Sequence, residues 1–297
     1  MEGIEKLKKQ LKYKIRLLEE PKRRALSSRF PFLKKPIISL RVHLTFWRNW
    51  LLHVVNIRNN KDFFDNVVVR HQSLLMRKLG DSTERLQRQK ILNLSVAGER
   101  LNGIIIPPGR VFSFWHIVGK PTFGRGFTTG MLLSNGEVVE GMGGGLCQMS
   151  NLLYWMFLHA PVEIIQRYHH SKDVFPDSGR VLPFGSGATI LYNFVDLKVR
   201  NISDTPLQLK IWLTDQHLKG QILAEDSMSS KFHVFEKEHF FVKYKNKYYR
   251  YNEIWQEEKK QGKIIKTQKV ITNFAPVLYD VTDKYLRDRN YDLIEFE

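Results

Sequence analysis

"GGGLCQMSNLLYWMF", residues 143–157, places three glycines directly before the only cysteine of the chain and an apolar run directly after it. Met149, Leu152, Leu153, Met156 and Phe157 recur at three- and four-residue steps, which predicts a helix that begins near Cys147 and is closed by Pro161. Upstream, glycines at 119, 124, 126, 130, 136 and 141 precede the triplet, and Asn135-Gly136 has the form of a two-residue hairpin turn. That density describes short extended segments and loops. It lacks the Gly-Lys-Ser/Thr ending of a phosphate-binding loop, which excludes a nucleotide triphosphatase. Downstream, "VEIIQRYHHS" reads as a strand, and "GATILYNFVDLKVRNIS" and "LQLKIWLTDQHLKGQILAE" add three more, the last two joined by a turn near Asp215 to His217.

Working outward, "STERLQRQKILNLSVAGERLNG" (82–103) carries Leu86, Ile91, Leu94, Ala97 and Leu101 on one helical face, with Ser82 as N-cap and Gly103 as stop. "IIIPPGRVFSFW" (104–115) then reads as strand, turn and strand. Phe112 and Phe114 share one face by alternation and belong to the core, which leaves Ser113 and His116 facing outward. In the N-terminal 20 residues, Ile4, Leu7, Leu11, Ile15 and Leu18 form one helical stripe backed by lysines, and Pro21 ends it. "PIISLRVHLTFWRNWLLHVVNI" (36–57) is apolar but interrupted by Arg41, His43, Arg48 and His53, and arginine near a bilayer centre costs about 2.5 kcal/mol or more, which argues against a spanning helix. Two readings stay open for it: a helix buried against the main domain, as apolar helices usually are, and an amphipathic segment lying on an anionic membrane with Trp47 and Trp50 at headgroup level. From residue 230 onward aromatic and charged residues alternate around turns at Lys245 to Lys247 and Gln261-Gly262, the pattern of a solvated antiparallel ribbon whose lysines protect its edges.

The chain has 297 residues, 42% hydrophobic and 26% charged, enough for one large domain or two modest ones. Its formal net charge of +17 calls for an acidic partner such as nucleic acid, an anionic membrane leaflet or an anionic wall polymer. Residues 1–48 hold 14 Lys and Arg against 4 Asp and Glu, so the surplus is largely a property of the N-terminal arm. No RNP-type aromatic signature accompanies the basic ribbon, which disfavours nucleic acid. A single cysteine excludes an internal disulfide and a Cys-rich zinc site, and no metal or organic cofactor is implied. The N-terminus lacks the continuous apolar stretch of a secretory signal, so the chain is read as cytoplasmic, with peripheral contact at the inner membrane face through its arm.

"RVFSFWHIVGKPT", "GGGLCQMSNLLYWMFLHAPVEIIQR" and "VDLKVRN" resemble the VanW family over roughly residues 84–226, and Gly-Gly-Gly-x-Cys-Gln-x-Ser is a specific motif. The resemblance implies association with glycopeptide resistance or with cell-envelope and peptidoglycan metabolism. The expected architecture is α+β: a basic helical N-terminal region (1–81), a central VanW-like domain of helices and antiparallel sheet (82–228) and a C-terminal β-ribbon (229–297).

Three readings of Cys147 stay open. A thiolate at a helix start is stabilised by unpaired N–H groups and the helix dipole, and Gly143, Gly144 and Gly145 would let a substrate backbone approach. Gln148 and the first-turn amides would then stabilise an oxyanion in acyl transfer or amide hydrolysis on a peptide-like substrate. "RYHHS" offers His169 and His170 as bases on opposite strand faces, and the family pattern, with its histidine directly before Ser, selects His170. Cysteine on a helix, then histidine on a strand, then an acid is also the order of papain-like and transglutaminase-like folds. VanW-like proteins commonly carry Asp-Ala-Thr where this chain has Gly187-Ala188-Thr189, which leaves Asp173, Asp177 or Asp196 as substitute acids. The second reading is a binding module for an anionic peptide or glycan, with Ser150, Arg167, Ser113 and Trp115 beside the glycines. In the third, Cys147 is a small structural hydrophobe.

Overall fold

In a computed structural model, residues 2–20, 30–55, 57–76, 84–134, 137–169, 172–174, 176, 182–192 and 194–296 are described. The helical stripes become α1 (Glu2–Glu19), α2 (Lys34–Leu51), α3 (Glu84–Leu101) and α5 (Cys147–Leu158), with the short α4 (Phe114–Val118) and α6 (Asp283–Arg287) beside them. The period-two segments become β1 (Ile57–Arg58), β2 (Asn66–Leu74), β3 (Ile104–Ile106), β4 (Val111–Ser113), β5 (Thr129–Ser134), β6 (Glu137–Met142), β7 (Val162–Gln166), β8 (Lys198–Asn201), β9 (Leu207–Leu213) and β10 (His217–Ala224). The C-terminal part supplies β11 (Ser230–Tyr244), β12 (Lys247–Lys260), β13 (Lys263–Pro276) and β14 (Asp292–Phe296).

The central unit is an antiparallel sheet in the order β1-β3-β9-β10-β2. On β9, Leu207, Leu209 and Ile211 fall on one face by alternation, and all three are buried. Helix α3 covers that face over β9, and α5 covers it over β10 and β2. Glycines allow the close approach: a Cβ on Gly98 of α3 would already touch Ile211, and one on Gly220 of β10 would sit 2.7 Å from Met156 of α5. Leu94, Ala97 and Leu101 from α3 join Met149, Leu152, Leu153, Met156 and Phe157 from α5 in one core, each large side chain contributing about 1.5–3 kcal/mol by leaving water. A three-stranded sheet, β4-β8-β7, and the β5-β6 hairpin flank this core.

The C-terminal sheet has the order β13-β12-β11-β14, with β14 running parallel to β11 and the others antiparallel. Alternation on β11 splits its aromatics between two covers. Phe240 and Val242 pack with Tyr249 and Tyr251 under Leu7, Leu11 and Ile15 of α1. Phe241, one residue out of phase, packs with Val281 and Leu286 beside α6. Lys12 lies 5.3 Å from the Phe296 ring and Lys14 5.4 Å from the Tyr251 ring, so the basic flanks of α1 also grip the sheet. Glu19 closes the end of the helix by accepting from Lys247 Nζ at 2.6 Å and Tyr249 Oη at 3.3 Å.

Several expectations are corrected here. The N-terminal region is not helical up to residue 81: β1 pairs with β3 and β2 with β10, so residues 57–74 complete the central sheet. Helix α1 is not a free basic arm, because its apolar stripe needs a cover and finds one in the C-terminal sheet. Helix α2 is not buried against the main domain, since Leu40, Leu44, Trp47, Trp50 and Leu51 are each more than half exposed. The C-terminal region is no solvated ribbon. Its β12 buries Arg250, and the main core runs on into Val234, Ile254 and Ile271. The expected strand beginning at Gly187 forms only from Lys198, and the residues before it make an irregular loop. Ser82 and Asn135-Gly136 lie outside the described residues, although Ser134 and Glu137 pair as the ends of a hairpin.

Candidate functional site

The glycine triplet is a tight turn that turns β6 into α5. Gly145 has a φ of +93°, a left-handed conformation that side chains rarely adopt, and a Cβ there would meet the stem of the buried Lys90. Gly144 carries a different constraint: its Cα lies against the backbone of Gly130 on β5, and a Cβ would overlap the Gly130 carbonyl. Asn93 on α3 fixes both sides of the turn. Its Nδ2 donates to Gly144 O at 2.9 Å and Thr128 O at 3.1 Å, while its Oδ1 accepts from Thr128 N at 2.9 Å. What approaches these glycines is the protein itself, the Pro121 side chain at Gly143, the Gly130 backbone at Gly144 and the Lys90 stem at Gly145, not an open substrate path. This corrects their reading as a cradle.

Cys147, Ser150, Asn151 and Tyr154 stand at i, i+3, i+4 and i+7, one face of α5. That face meets the irregular loop 185–190, residue by residue. The Cys147 thiol donates to Ile190 O at 3.9 Å. Ser150 Oγ donates to Ala188 O at 2.6 Å, and Ala188 N donates to Asn151 Oδ1 at 2.7 Å. Arg167, stacked 4.9 Å above the Tyr154 ring, donates from Nε to Gly187 O at 2.9 Å and from its terminal nitrogen to the carbonyls of Gly185 and Gly187. The polar residues of the motif thus serve as a clamp on a loop that has no ladder of its own. A Cβ on Gly187 would lie 2.6 Å from Asn151 Oδ1, so an aspartate at 187 and the present position of Asn151 exclude one another. The Thr189 hydroxyl is buried with no partner among the described residues.

Cys147 is half-buried as a residue and packs against the main core. Burial pushes its thiol up, and the weak bond to Ile190 O only partly opposes this. Gln148 points to another side of the helix, where its amide donates to Ser73 Oγ at 2.9 Å and Leu74 O at 2.7 Å, holding the end of β2. Its backbone N–H donates to Gly145 O at 3.0 Å. The side-chain and backbone donors of Gln148 proposed for an oxyanion are therefore engaged within the fold. His170 and Asp177 lie outside the described residues, and His169 is exposed.

The remaining acids belong to other networks. Asp173 is buried and accepts from Arg250 at 3.2 Å and Tyr279 at 3.0 Å, and the Arg250 guanidinium is itself stacked among Phe184, Phe241 and Tyr291. Asp196 accepts from Ser113 Oγ at 2.6 Å, Trp115 N at 3.1 Å and Leu197 N at 2.9 Å, with Lys198 Nζ at 3.8 Å. Burial raises the pKa of Asp196 despite these bonds, and burial lowers that of Lys198, whose ammonium also donates to Asn49 at 2.6 Å. Ser113 does not face outward: it is fully buried and caps α4 by accepting from His116 N at 3.2 Å. Trp115 donates its indole N–H to Val195 O at 2.8 Å, so it is a strut between segments. His116 is exposed, as expected, but it sits on the short helix α4 and not on an extended strand. Among the described residues no group of three or more His, Cys, Asp or Glu is arranged to hold a metal.

A concavity lies elsewhere among the described residues. A cleft of about 430 Å³ opens near Pro161, at the end of α5 opposite Cys147, and is lined by Asp204, Asp226, Phe232, Gln256, Glu258 and Lys266 among others. Its polar groups are held in place. Thr205 Oγ1 donates to Asp226 Oδ2 at 3.0 Å, Ser230 Oγ to Glu258 Oε1 at 2.7 Å, and Gln256 Nε2 to Leu158 O at 2.6 Å. Sequence reasoning missed this cleft because its walls come from three loops and strands far apart in the chain. It also passed over Asn151, although four residues after Cys147 is the helical spacing that places both on one face.

The family model described as VanW like protein matches residues 89–223, which contain the glycine turn, α5, its clamp and the loop it holds. The vancomycin B-type resistance protein VanW of Enterococcus faecalis (strain ATCC 700802 / V583) is 34% identical over 199 residues, 66% of this chain and 72% of that protein. A protein of Bacillus subtilis (strain 168) named uncharacterized protein YoaR is 30% identical over 118 residues, 40% of this chain and 37% of its own length. No solved structure matches the chain. With a family match centred on the clamped helix, and a relative of which it covers nearly three quarters, the chain belongs to the VanW family.

Proposed function

We propose that this chain is an accessory protein of vancomycin-type resistance that binds a sugar-peptide fragment of the cell envelope without thiol chemistry. The resistance link rests on the name of its Enterococcus faecalis relative. The observation that carries the non-catalytic reading is the state of Cys147, a thiol raised by burial and turned toward the Ile190 carbonyl. A nucleophilic cysteine works through its thiolate, and burial in apolar surroundings favours the protonated form instead. The cleft beside Pro161 supplies the ligand reading. Fixed carboxylates and amides suit the hydroxyl and amide groups of a glycan-peptide, and Phe232 offers an apolar wall for a sugar ring. Asp204, Asp226 and Glu258 face one lysine, Lys266, so the cleft suits a neutral or cationic ligand better than the anionic one expected from net charge.

The experiment is calorimetric titration of the full chain with a disaccharide-pentapeptide of peptidoglycan whose glutamate is amidated and whose third residue is lysine, so that it is neutral overall, with product analysis on the same samples. The expected result is saturable binding, unchanged by Cys147→Ser and weakened about 10-fold or more by Asp226→Asn, since a lost hydrogen bond to a charged group is worth about 1.5–3 kcal/mol, and by Phe232→Ala, since burying a Phe side chain is worth about as much. Turnover of the fragment that disappears in Cys147→Ser would overturn the reading in favour of acyl transfer.

A further inference from the structure

We propose that α2 is a docking element for an anionic phospholipid surface, engaged through the outward stripe Ile37, Leu40, Leu44, Trp47 and Leu51. These positions step by 3, 4, 3 and 4 residues and therefore form one continuous face. They are 42%, 61%, 59%, 58% and 67% exposed. The opposite face holds the helix to the body of the protein: Asn49 is buried and accepts from Lys198, and Ile38 and Thr45 are half-buried. Arg48 donates to Gln166 and Arg41 stacks 4.4 Å from the Phe194 ring, so the flank is anchored as well. The apolar stripe is thus presented outward on a fixed element. Phe46 and Trp50 beside it, and Phe32 in the turn before the helix, are also exposed.

Single exposed apolar residues are ordinary, but a contiguous stripe of this kind marks an interaction surface. Charge decides the occupant. Residues 21–61 contain ten Lys and Arg and no Asp or Glu. The stripe spacing would also allow two copies of α2 to pair, yet such a pair would bring two equally basic segments together with no acid in either to offset the charge. An anionic bilayer offers the complement: apolar acyl chains for the stripe, a negative surface for the basic surplus of residues 21–61, and an interface in which Trp47 and Trp50 are at home. No helix of the described residues is long and apolar enough to cross a membrane, so the geometry is that of a helix lying in the surface. The basic character that the sequence suggested for the whole N-terminal arm is divided by the fold. Helix α1 faces the C-terminal sheet, and α2 faces out.

The test is co-sedimentation of the full chain with vesicles of phosphatidylcholine alone and of phosphatidylcholine with 30% phosphatidylglycerol, with light scattering on the lipid-free protein. The expected result is binding to the anionic vesicles that is at least tenfold tighter than to the neutral ones and falls as salt rises. Leu44→Glu with Trp47→Glu, and separately Trp47→Ala with Trp50→Ala, should each lower it by tenfold or more while thermal stability is kept, since these side chains are exposed. The proposal is overturned if the wild type ignores anionic vesicles, or if both variants bind as well as wild type. It is equally overturned if the wild type is a dimer in solution, fails to bind vesicles and becomes monomeric in the variants, which would assign the stripe to a second copy.

Discussion

Replacing Gly144 by alanine separates a structural glycine turn from a ligand cradle. The added Cβ would overlap the carbonyl carbon and oxygen of Gly130 and lie 2.5 Å from Met131 N, and all three are backbone atoms of β5 that no rotamer change can remove. Ordinary contact begins near 3.4 Å, so the turn and β5 must separate by roughly an ångström. Overpacking of this kind costs about 1–3 kcal/mol, and stretching the buried bond from Asn93 to Gly144 O adds about 1 kcal/mol. The sum, about 3 kcal/mol, corresponds to a fall in melting temperature of about 6–12 °C for a chain of this size. Gly124→Ala is the control, because a Cβ there meets nothing within 4 Å and should change stability by less than about 0.5 kcal/mol. Thermal unfolding followed by circular dichroism reads both variants. If Gly144→Ala melts with Gly124→Ala and the wild type, the close approach of turn and strand is not as described and the ligand-cradle reading returns.

Three further outcomes follow from the same contacts. Asn151→Ala removes the acceptor of Ala188 N and should destabilise by about 1–2 kcal/mol, with faster hydrogen exchange confined to residues 185–190; unchanged exchange there would mean that the loop is held by other means. Leu11→Ala empties a fully buried site between α1 and the C-terminal sheet and should cost about 2–5 kcal/mol, seen as early proteolytic cleavage within α1; equal protease resistance would show that the helix does not dock there. The raised Cys147 pKa has a definite sign in stability: the folded state keeps its proton past the unfolded thiol value of about 8.5, so the wild type should lose stability relative to Cys147→Ala as pH climbs above that value, and parallel pH profiles would count against a buried thiol.

Much of the architecture could be read from periodicity, and the failures have one physical cause. Leu7, Leu11 and Ile15 declare a helical stripe by local spacing, but nothing local says that the stripe is covered by Phe240, Val242 and Tyr251, more than 220 residues further on. The same holds at Gly144, where the sequence reveals that something must come close and the fold shows that it is Gly130. Alternation placed Phe112 in the core, and Phe114 is buried too although it opens a helix; the alternating partner Ser113 is drawn inward by the Asp196 carboxylate, a long-range hydrogen bond invisible to pattern. At the site, the motif marked where α5 starts, at Cys147. The roles of its polar residues depend on the loop 185–190, part of which reads in sequence as the start of a strand but has no regular structure. Asp173, weighed in sequence as a substitute acid for Cys147, is instead one half of a buried pair with Arg250 that joins β12 to the segment after β7, a partner no local pattern could name.

The most direct test of the central claim is the rate of Cys147 alkylation by iodoacetamide as a function of pH, in the native chain and in urea. Slow labelling at neutral pH with an apparent pKa above the free-thiol value of about 8.5, accelerated on unfolding, is the expected result. Rapid native labelling near pH 7 with an apparent pKa below that value would contradict it and restore Cys147 as a nucleophile.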